Sequence, residues 1–167
     1  IQLSPDHVQI QDFKMQRDKQ FLIINGAISR RTEEKLNLKI HDLELGDFTS
    51  LFGAPIEVKG TLNGVASVSD PFNDLTFTSD SKIKDLFIDG ESVGDINIHA
   101  NWIDTTKSLG LNGELFYRKN KTFHFDGNYF TQRDKNSLDF DLDFDYTDLQ
   151  FTNAFMDPLV VSGIRGL

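Results

Sequence analysis

Apolar and polar residues alternate along most of the chain, which is the pattern of β-strands with one buried face. The clearest stretch runs from Leu138 to Tyr146, where five apolar residues alternate with four aspartates. Because successive side chains leave opposite faces of a strand, the two sets point in opposite directions. Further segments of this kind predict strands over residues 8–13, 20–29, 36–40, 56–68, 74–79, 82–88, 96–102, 109–118 and 123–125. The predicted fold class is all-β, an elongated curved antiparallel sheet with one or two short helices.

Two segments interrupt the alternation. Apolar residues at i, i+3 and i+4 within residues 46–53 predict a helix of one or two turns. Asp47 is the predicted N-cap of this helix and Gly53 the residue that ends it. A second segment of the same type covers residues 151–157. We expect short helices in these positions to cover an end of the sheet.

The segment order repeats along the chain. A glycine turn, a charged hairpin tip, an alternating strand, Asp-Leu, a short helix, a proline, a strand and a glycine follow one another twice. The first series starts at Gly26 and the second at Gly127, 101 residues later. This predicts one array, with a full repeat over about residues 26–126 and the start of the next over 127–167. The first residue is not Met, and the chain stops in the middle of a repeat that is seen complete earlier, so we expect a segment of a longer exported protein.

Composition excludes several function classes. The net charge is −9, with 26 acidic and 17 basic residues, and no basic stripe is present, which argues against nucleic-acid binding. The absence of cysteine excludes disulfides, thiolate nucleophiles and cysteine metal sites. No apolar run approaches the roughly 18 residues of a membrane-spanning helix, so no transmembrane segment is predicted. We also expect no cofactor.

Candidate catalytic and metal-binding residues are few. His7, His41, His99 and His124 show none of the spacings that place two imidazoles on one metal. The alternation predicts that the last three face away from the apolar side. No nucleophile motif or phosphate-binding glycine loop is present. The sequence therefore predicts a protein without catalytic or metal-binding residues.

The strongest candidate for a metal or catalytic site is an acidic ladder, formed by Asp139, Asp141, Asp143, Asp145 and Asp148. Carboxylates two residues apart on a strand lie about 6.5 Å apart and diverge, whereas calcium needs converging ligands. We expect a solvated face that discourages aggregation, or cross-strand ion pairs if a lysine-bearing strand lies alongside. A hydrolase stays as an alternative that requires two of these carboxylates to converge within about 5–10 Å.

The order of strands and glycines between Leu36 and Trp102 resembles a known repeat. The residues that carry this resemblance are Val58, Gly60, Leu62 and Gly64, followed by Leu86, Ile88, Gly90, Val93, Gly94 and Ile96. Together with the Asp-Leu and short-helix order, they resemble the repeats of the TamB and AsmA-like family of Gram-negative bacteria. The turn at Ser69-Asp70 differs from the Ser-Gly that this family often carries.

The resemblance implies a non-enzymatic segment of an inner-membrane-anchored protein that extends across the periplasm. It implies an apolar groove for phospholipid transport or outer-membrane protein assembly, with acyl chains or an outer-membrane β-barrel protein as partners. Edge-to-edge self-association is a further expectation for such a sheet. The predicted groove or core face comprises Leu36, Leu38, Ile40, Ile96, Ile98, Trp102, Phe123, Phe125, Leu138, Phe140, Leu142, Phe144 and Tyr146. The alternative is a self-contained β-sandwich that binds carbohydrate or acts as a surface adhesin.

Overall fold

The computed structural model describes residues 2–4, 7–31, 33–49, 57–70, 75–131 and 137–145. These residues form ten strands and one short helix, α1 (Gly46–Thr49). The strands are β1 (Gln2–Ser4), β2 (His7–Arg17), β3 (Gln20–Ile28), β4 (Lys35–Glu44), β5 (Val58–Ser69), β6 (Thr76–Ile88), β7 (Glu91–Ile103), β8 (Ser108–Tyr117), β9 (Asn120–Phe130) and β10 (Leu138–Phe144).

All ten strands belong to a single antiparallel sheet. Their order in the sheet is their order along the chain, so every strand pairs with its sequence neighbours. Tight turns enforce this order: Asp89 and Gly90 connect β6 to β7 with φ angles of 51° and 84°. Arg118 and Lys119 connect β8 to β9 in the same left-handed region, with φ angles of 50° and 70°. Such two-residue turns match the twist of the strands they join. The prediction of an all-β, open and curved antiparallel sheet is confirmed.

Three strands contain a β-bulge at the same short motif. The motif is an isoleucine, a polar residue, an aspartate and a large apolar residue: Ile10–Phe13 in β2, Ile40–Leu43 in β4 and Ile83–Leu86 in β6. In each strand the pairing register shifts between the first and last residue of the motif. The aspartates have positive φ angles of 50° or 51°. Because a bulge bends its strand and increases the local twist, the three motifs help to curve the sheet.

Side chains of the opposite strand stabilise two of these bulges. The backbone N–H of Asp42 donates to Oδ1 of Asn63 at 3.0 Å, and Nδ2 of Asn63 donates to Oδ1 of Asp42 at 3.0 Å. In β6, the N–H of Asp85 donates to Oδ1 of Asp95 at 2.9 Å. A bulge leaves one residue out of the ladder, and these bonds satisfy the backbone donor that it frees.

Three of the best-buried apolar residues form a cluster on one side of the sheet. Leu86, Val93 and Leu115 are 8%, 0% and 3% exposed and pack together. Half-buried residues surround them: Leu45, Val58, Ile83, Ile88, Ile96, Tyr117 and Phe123. This cluster spans β5 to β9 near the β6–β7 and β8–β9 turns. It is the core of the described part of the chain.

Several predicted elements differ from the observed ones. The strands predicted over 74–79 and 82–88 are one continuous strand, β6, and β1 was not predicted. Helix α1 begins at Gly46, so Asp47 lies within its first turn and is not its N-cap; the Asp47 carboxylate pairs with Arg17 of β2. The predicted second helix, over 151–157, lies outside the described residues.

Candidate apolar binding face

The strand register collects the apolar residues on one face of the sheet. Residues directly opposite each other in an antiparallel pair share a face, and residues two apart along a strand do as well. One row joins Ile96, Leu115, Phe123 and Phe144 across four strands, β7 to β10. The same row continues from Ile96 through Ile83 and Leu62 to Leu43 of β4. A second row joins Met15, Leu22 and Ile40 across β2 to β4. We call this side of the sheet the apolar face and the opposite side the polar face.

Twelve of the thirteen residues predicted for a groove or core face lie on the apolar face. They come from β4, β7, β9 and β10: Leu36, Leu38, Ile40, Ile96, Ile98, Trp102, Phe123, Phe125, Leu138, Phe140, Leu142 and Phe144. The thirteenth, Tyr146, lies outside the described residues. The function predicted for this set stays a prediction, but the register does bring these residues together.

The same face includes residues that the alternation did not single out. β2 supplies Phe13 and Met15, which follow its bulge, and β4 supplies Leu43, which follows its own. The core residues Leu86 and Val93 belong to the same side of the sheet. The signal that identifies the first three is the bulge motif, because the aspartate shifts the phase of the alternation by one residue.

Aromatic rings cover the β8–β10 part of the apolar face. The ring centroids of Phe123 and Phe144 are 5.0 Å apart, and those of Phe125 and Phe140 are 6.1 Å apart. Gly113 provides space for one ring, since a Cβ atom there would lie 2.3 Å from Cζ of Phe125. A glycine beneath an aromatic ring of the neighbouring strand is a recurrent device in β-sheets.

Burial on the apolar face decreases toward β10. Leu115 of β8 is 3% exposed, whereas Leu138, Leu142 and Phe144 of β10 are 64%, 53% and 48% exposed. Between them, Phe123 and Phe125 of β9 are half-buried. The apolar face is therefore covered near the core cluster and open to solvent at the last described strand.

A concavity of about 560 Å³ lies on the other side of the sheet and crosses β4 to β8. Its lining includes two polar-face residues from each of these strands: Lys39, His41, Asn63, Val65, Asp80, Lys82, Asn97, His99, Asn112 and Glu114. The remaining lining residue of each strand lies between its two polar-face residues. This depression therefore belongs to the polar face.

Charges on the polar face are unevenly distributed. Lysines concentrate on β2 and β4–β6: Lys14, Lys35, Lys39, Lys59, Lys82 and Lys84. Strands β8–β10 carry five carboxylates on this face and one lysine, Lys121; the carboxylates are Glu114, Asp126, Asp139, Asp141 and Asp143. In the acidic part, Nζ of Lys121 lies 2.9 Å from Glu114 and 3.7 Å from Asp145. The hydrogen bond to Glu114, together with the negative charges of Glu114 and Asp145, raises the pKa of Lys121.

Three histidines lie on the polar face, on the side the alternation predicted. His41 stacks on Phe21 with ring centroids 4.7 Å apart, and His99 Nδ1 lies 2.8 Å from Oδ1 of Asp80. His124 lies opposite Asp143 in β10. In the described ranges, no group of three or more histidine, aspartate or glutamate side chains is placed to hold a metal ion.

Strand β9, the described neighbour of the acidic ladder, carries one lysine, Lys121, whose Nζ lies 3.7 Å from Oδ2 of Asp145. Asp139, Asp141 and Asp143 lie opposite Asn128, Asp126 and His124 of β9. The cross-strand ion pair expected for a lysine-bearing neighbour is therefore formed at Asp145, whereas none is formed with β9 at Asp139, Asp141 or Asp143. Asp148 lies outside the described residues.

Comparison with family models, curated proteins and solved structures finds no match to this chain. Within the described residues, no helix has the length and apolar character needed to cross a membrane.

Proposed function

We propose that this chain is a non-enzymatic segment of a TamB- or AsmA-like envelope protein whose apolar face binds the acyl chains of phospholipids. The observation that carries the proposal is the continuity of the apolar face through the strand register, from β2 to β10. A ligand without directional hydrogen bonds, such as an acyl chain, requires a surface of this kind and no special polar residue.

The exposure of the apolar face supports a bound partner. Soluble monomers rarely expose contiguous apolar patches larger than a few hundred Å². A large apolar side chain contributes about 1.5–3 kcal/mol when it is fully removed from water. Leu142, at 53% exposure, therefore has roughly 1 kcal/mol still to gain from a covering ligand. Leu138 and Phe144 offer similar gains, so several methylene groups packed along β10 give favourable binding.

The proposed setting is the periplasm of a Gram-negative bacterium, with the parent protein anchored in the inner membrane and acting in outer-membrane biogenesis. These parts of the proposal depend on the sequence resemblance. An unfolded strand of an outer-membrane β-barrel protein is a second partner consistent with the same face. The β-sandwich alternative requires two packed sheets, whereas the described strands all belong to one sheet.

The single tryptophan makes acyl-chain contact measurable. Trp102 lies on the apolar face opposite Leu109, and it is the only tryptophan in the sequence. Phospholipid with brominated acyl chains quenches tryptophan fluorescence on contact. We expect progressive quenching of Trp102 by brominated phospholipid and none by a water-soluble brominated headgroup analogue. Equal quenching by the two compounds, or none by the lipid, would refute acyl-chain binding at this face.

Two exposed apolar residues provide a matched pair of variants. Leu142 on the apolar face is 53% exposed, and Val65 on the polar face is 52% exposed. Leu142→Asp is expected to reduce the phospholipid that co-purifies with the protein, measured by native mass spectrometry, by about fivefold or more, since it removes about 1 kcal/mol of burial and adds a charge. Val65→Asp is expected to leave the bound phospholipid unchanged. Equal losses in the two variants would show that lipid is not held by the apolar face.

A further inference from the structure

Strand β10 is the last described strand of the sheet and pairs with β9 on one side. The N–H of Phe130 bonds to the carbonyl oxygen of Ser137, and the N–H of Asp145 bonds to that of Thr122. Because bonding direction alternates along an antiparallel strand, the odd-numbered residues between them direct their backbone groups toward β9. The backbone N–H and C=O groups of Phe140 and Leu142 are therefore directed toward the outer edge of β10.

The side chains of β10 differ strongly between its two faces. Leu138 and Leu142, on the apolar face, are more than half exposed. On the polar face, Asp139, Asp141 and Asp143 are exposed. Asp141 lies directly opposite Asp126 of β9, which places like charges side by side. In the part of the chain that the structure describes, no lysine or arginine pairs with these three aspartates; Lys121 of β9 contacts Glu114 and Asp145 instead.

The distribution of apolar and acidic side chains on β10 determines which strands can pair with its outer edge. An added strand keeps the apolar face continuous only if its own apolar residues align with Leu138, Phe140 and Leu142. Its alternate residues then lie beside the aspartates. If the added strand is β10 of a second copy, aspartate lies beside aspartate in every such register, which is destabilising. A strand with lysine or arginine at the alternate positions forms cross-strand ion pairs instead.

We propose that the outer edge of β10 binds an extended segment in which apolar residues alternate with basic ones. The chain itself shows what such a segment looks like: residues 35–41 of β4 place Lys35 and Lys39 on one face and Leu36, Leu38 and Ile40 on the other. The partner is therefore a β-strand of this composition, recognised by backbone hydrogen bonds and by charge. This inference concerns the sheet edge and does not depend on acyl-chain binding by the apolar face.

Synthetic peptides test the proposal. The first has the sequence of residues 35–41, the second has glutamate in place of its two lysines, and the third is the first with N-methyl groups at alternate positions. Hydrogen exchange of the Phe140 and Leu142 amides in the full chain, followed by NMR, reports occupation of the edge. We expect the lysine peptide to slow exchange of both amides, with affinity about tenfold above that of the glutamate peptide. The N-methylated peptide is expected to give no protection, since it cannot complete the ladder.

Two further measurements separate charge from simple apolar contact. In the variant with Asp139→Lys and Asp143→Lys, the preference for the lysine peptide over the glutamate peptide is expected to reverse. The conservative variant Asp141→Asn is expected to lose only part of this preference. Raising the salt concentration to about 1 M, where the screening length is about 3 Å, is expected to weaken binding of the lysine peptide to the wild-type chain.

Three results would overturn the proposal. The first is equal protection by the lysine and glutamate peptides. The second is protection of Phe140 and Leu142 in the absence of peptide at all protein concentrations, since the edge would then be occupied within the chain. The third is protection that rises with protein concentration alone, which would identify a second copy as the occupant.

Discussion

Gly113 is the position where a single added methyl group should disturb the apolar face most specifically. An alanine Cβ there would lie 2.3 Å from Cζ and 2.4 Å from Cε1 of Phe125, and 2.9 Å from the backbone oxygen of Asn97. Phe125 must therefore leave its position, and the ring packing against Phe140 is lost with it. Overpacking of this kind costs about 1–3 kcal/mol. For a chain of 167 residues, each kcal/mol lowers the melting temperature by about 2–4 °C.

Urea unfolding of Gly113→Ala, followed by circular dichroism, measures this cost. Gly46→Ala is the matched control, because its Cβ would meet only ordinary contacts, at 3.7 Å from Val58 O and 4.0 Å from Lys59 Cγ. In a Phe125→Ala background, the Gly113→Ala cost should fall, leaving the part due to the Asn97 oxygen. A Gly113→Ala protein as stable as Gly46→Ala, or a cost independent of Phe125, would refute the packing described for this face.

Two other predictions concern the core cluster and the pH dependence of stability. Leu115→Ala, at a site 3% exposed, should lower the free energy of unfolding, measured in urea, by about 2–5 kcal/mol. Leu142→Ala, at a site 53% exposed, should lower it by about 1 kcal/mol or less. Equal losses in the two variants would place the core elsewhere. Hydrogen bonding from Lys107 lowers the pKa of Asp104 below its ordinary value of 3.8, so the stabilisation is present above pH 3.8 and is lost as the pH falls through the lowered pKa. The stability difference between the wild type and Lys107→Met, measured by urea midpoints, should therefore shrink as the pH falls below 3.8; a difference constant down to about pH 2 would contradict the ion pair.

Alternation was sufficient to predict the strand class and the face of most residues. It succeeded for Leu138–Phe144 and for Ile96–Trp102 because a half-buried strand enforces period 2 locally. It failed where the period changes: the strands predicted over 8–13 and 36–40 stop at or just before the bulges, although β2 and β4 continue to Arg17 and Glu44. The physical reason is that a bulge inserts one residue, so that the apolar positions change from even to odd numbers.

The sequence alone could not predict which parts of the apolar face are buried and which are exposed to solvent. Val93 is fully buried and Leu142 is half exposed, although both are aliphatic residues in strands. Burial on a single sheet depends on its twist and on which strands surround a residue, and these are non-local properties. The continuous β6 was predicted as two strands because Asp80 and Ser81 resemble a turn; in the sheet, Asp80 instead faces His99 of β7.

The three bulges also make the chain tolerant of a change in length that strands normally reject. Removing one residue from a flat strand inverts the orientation of every side chain beyond the deletion. Removing Asp12, Asp42 or Asp85 instead brings the neighbouring polar residue directly before the next apolar one and leaves both faces intact. Homologues lacking one of these aspartates would thus differ in the curvature of the sheet and not in which residues face the proposed ligand. The overall bend of such a sheet can then evolve by single-codon deletions, independently of the surface it presents.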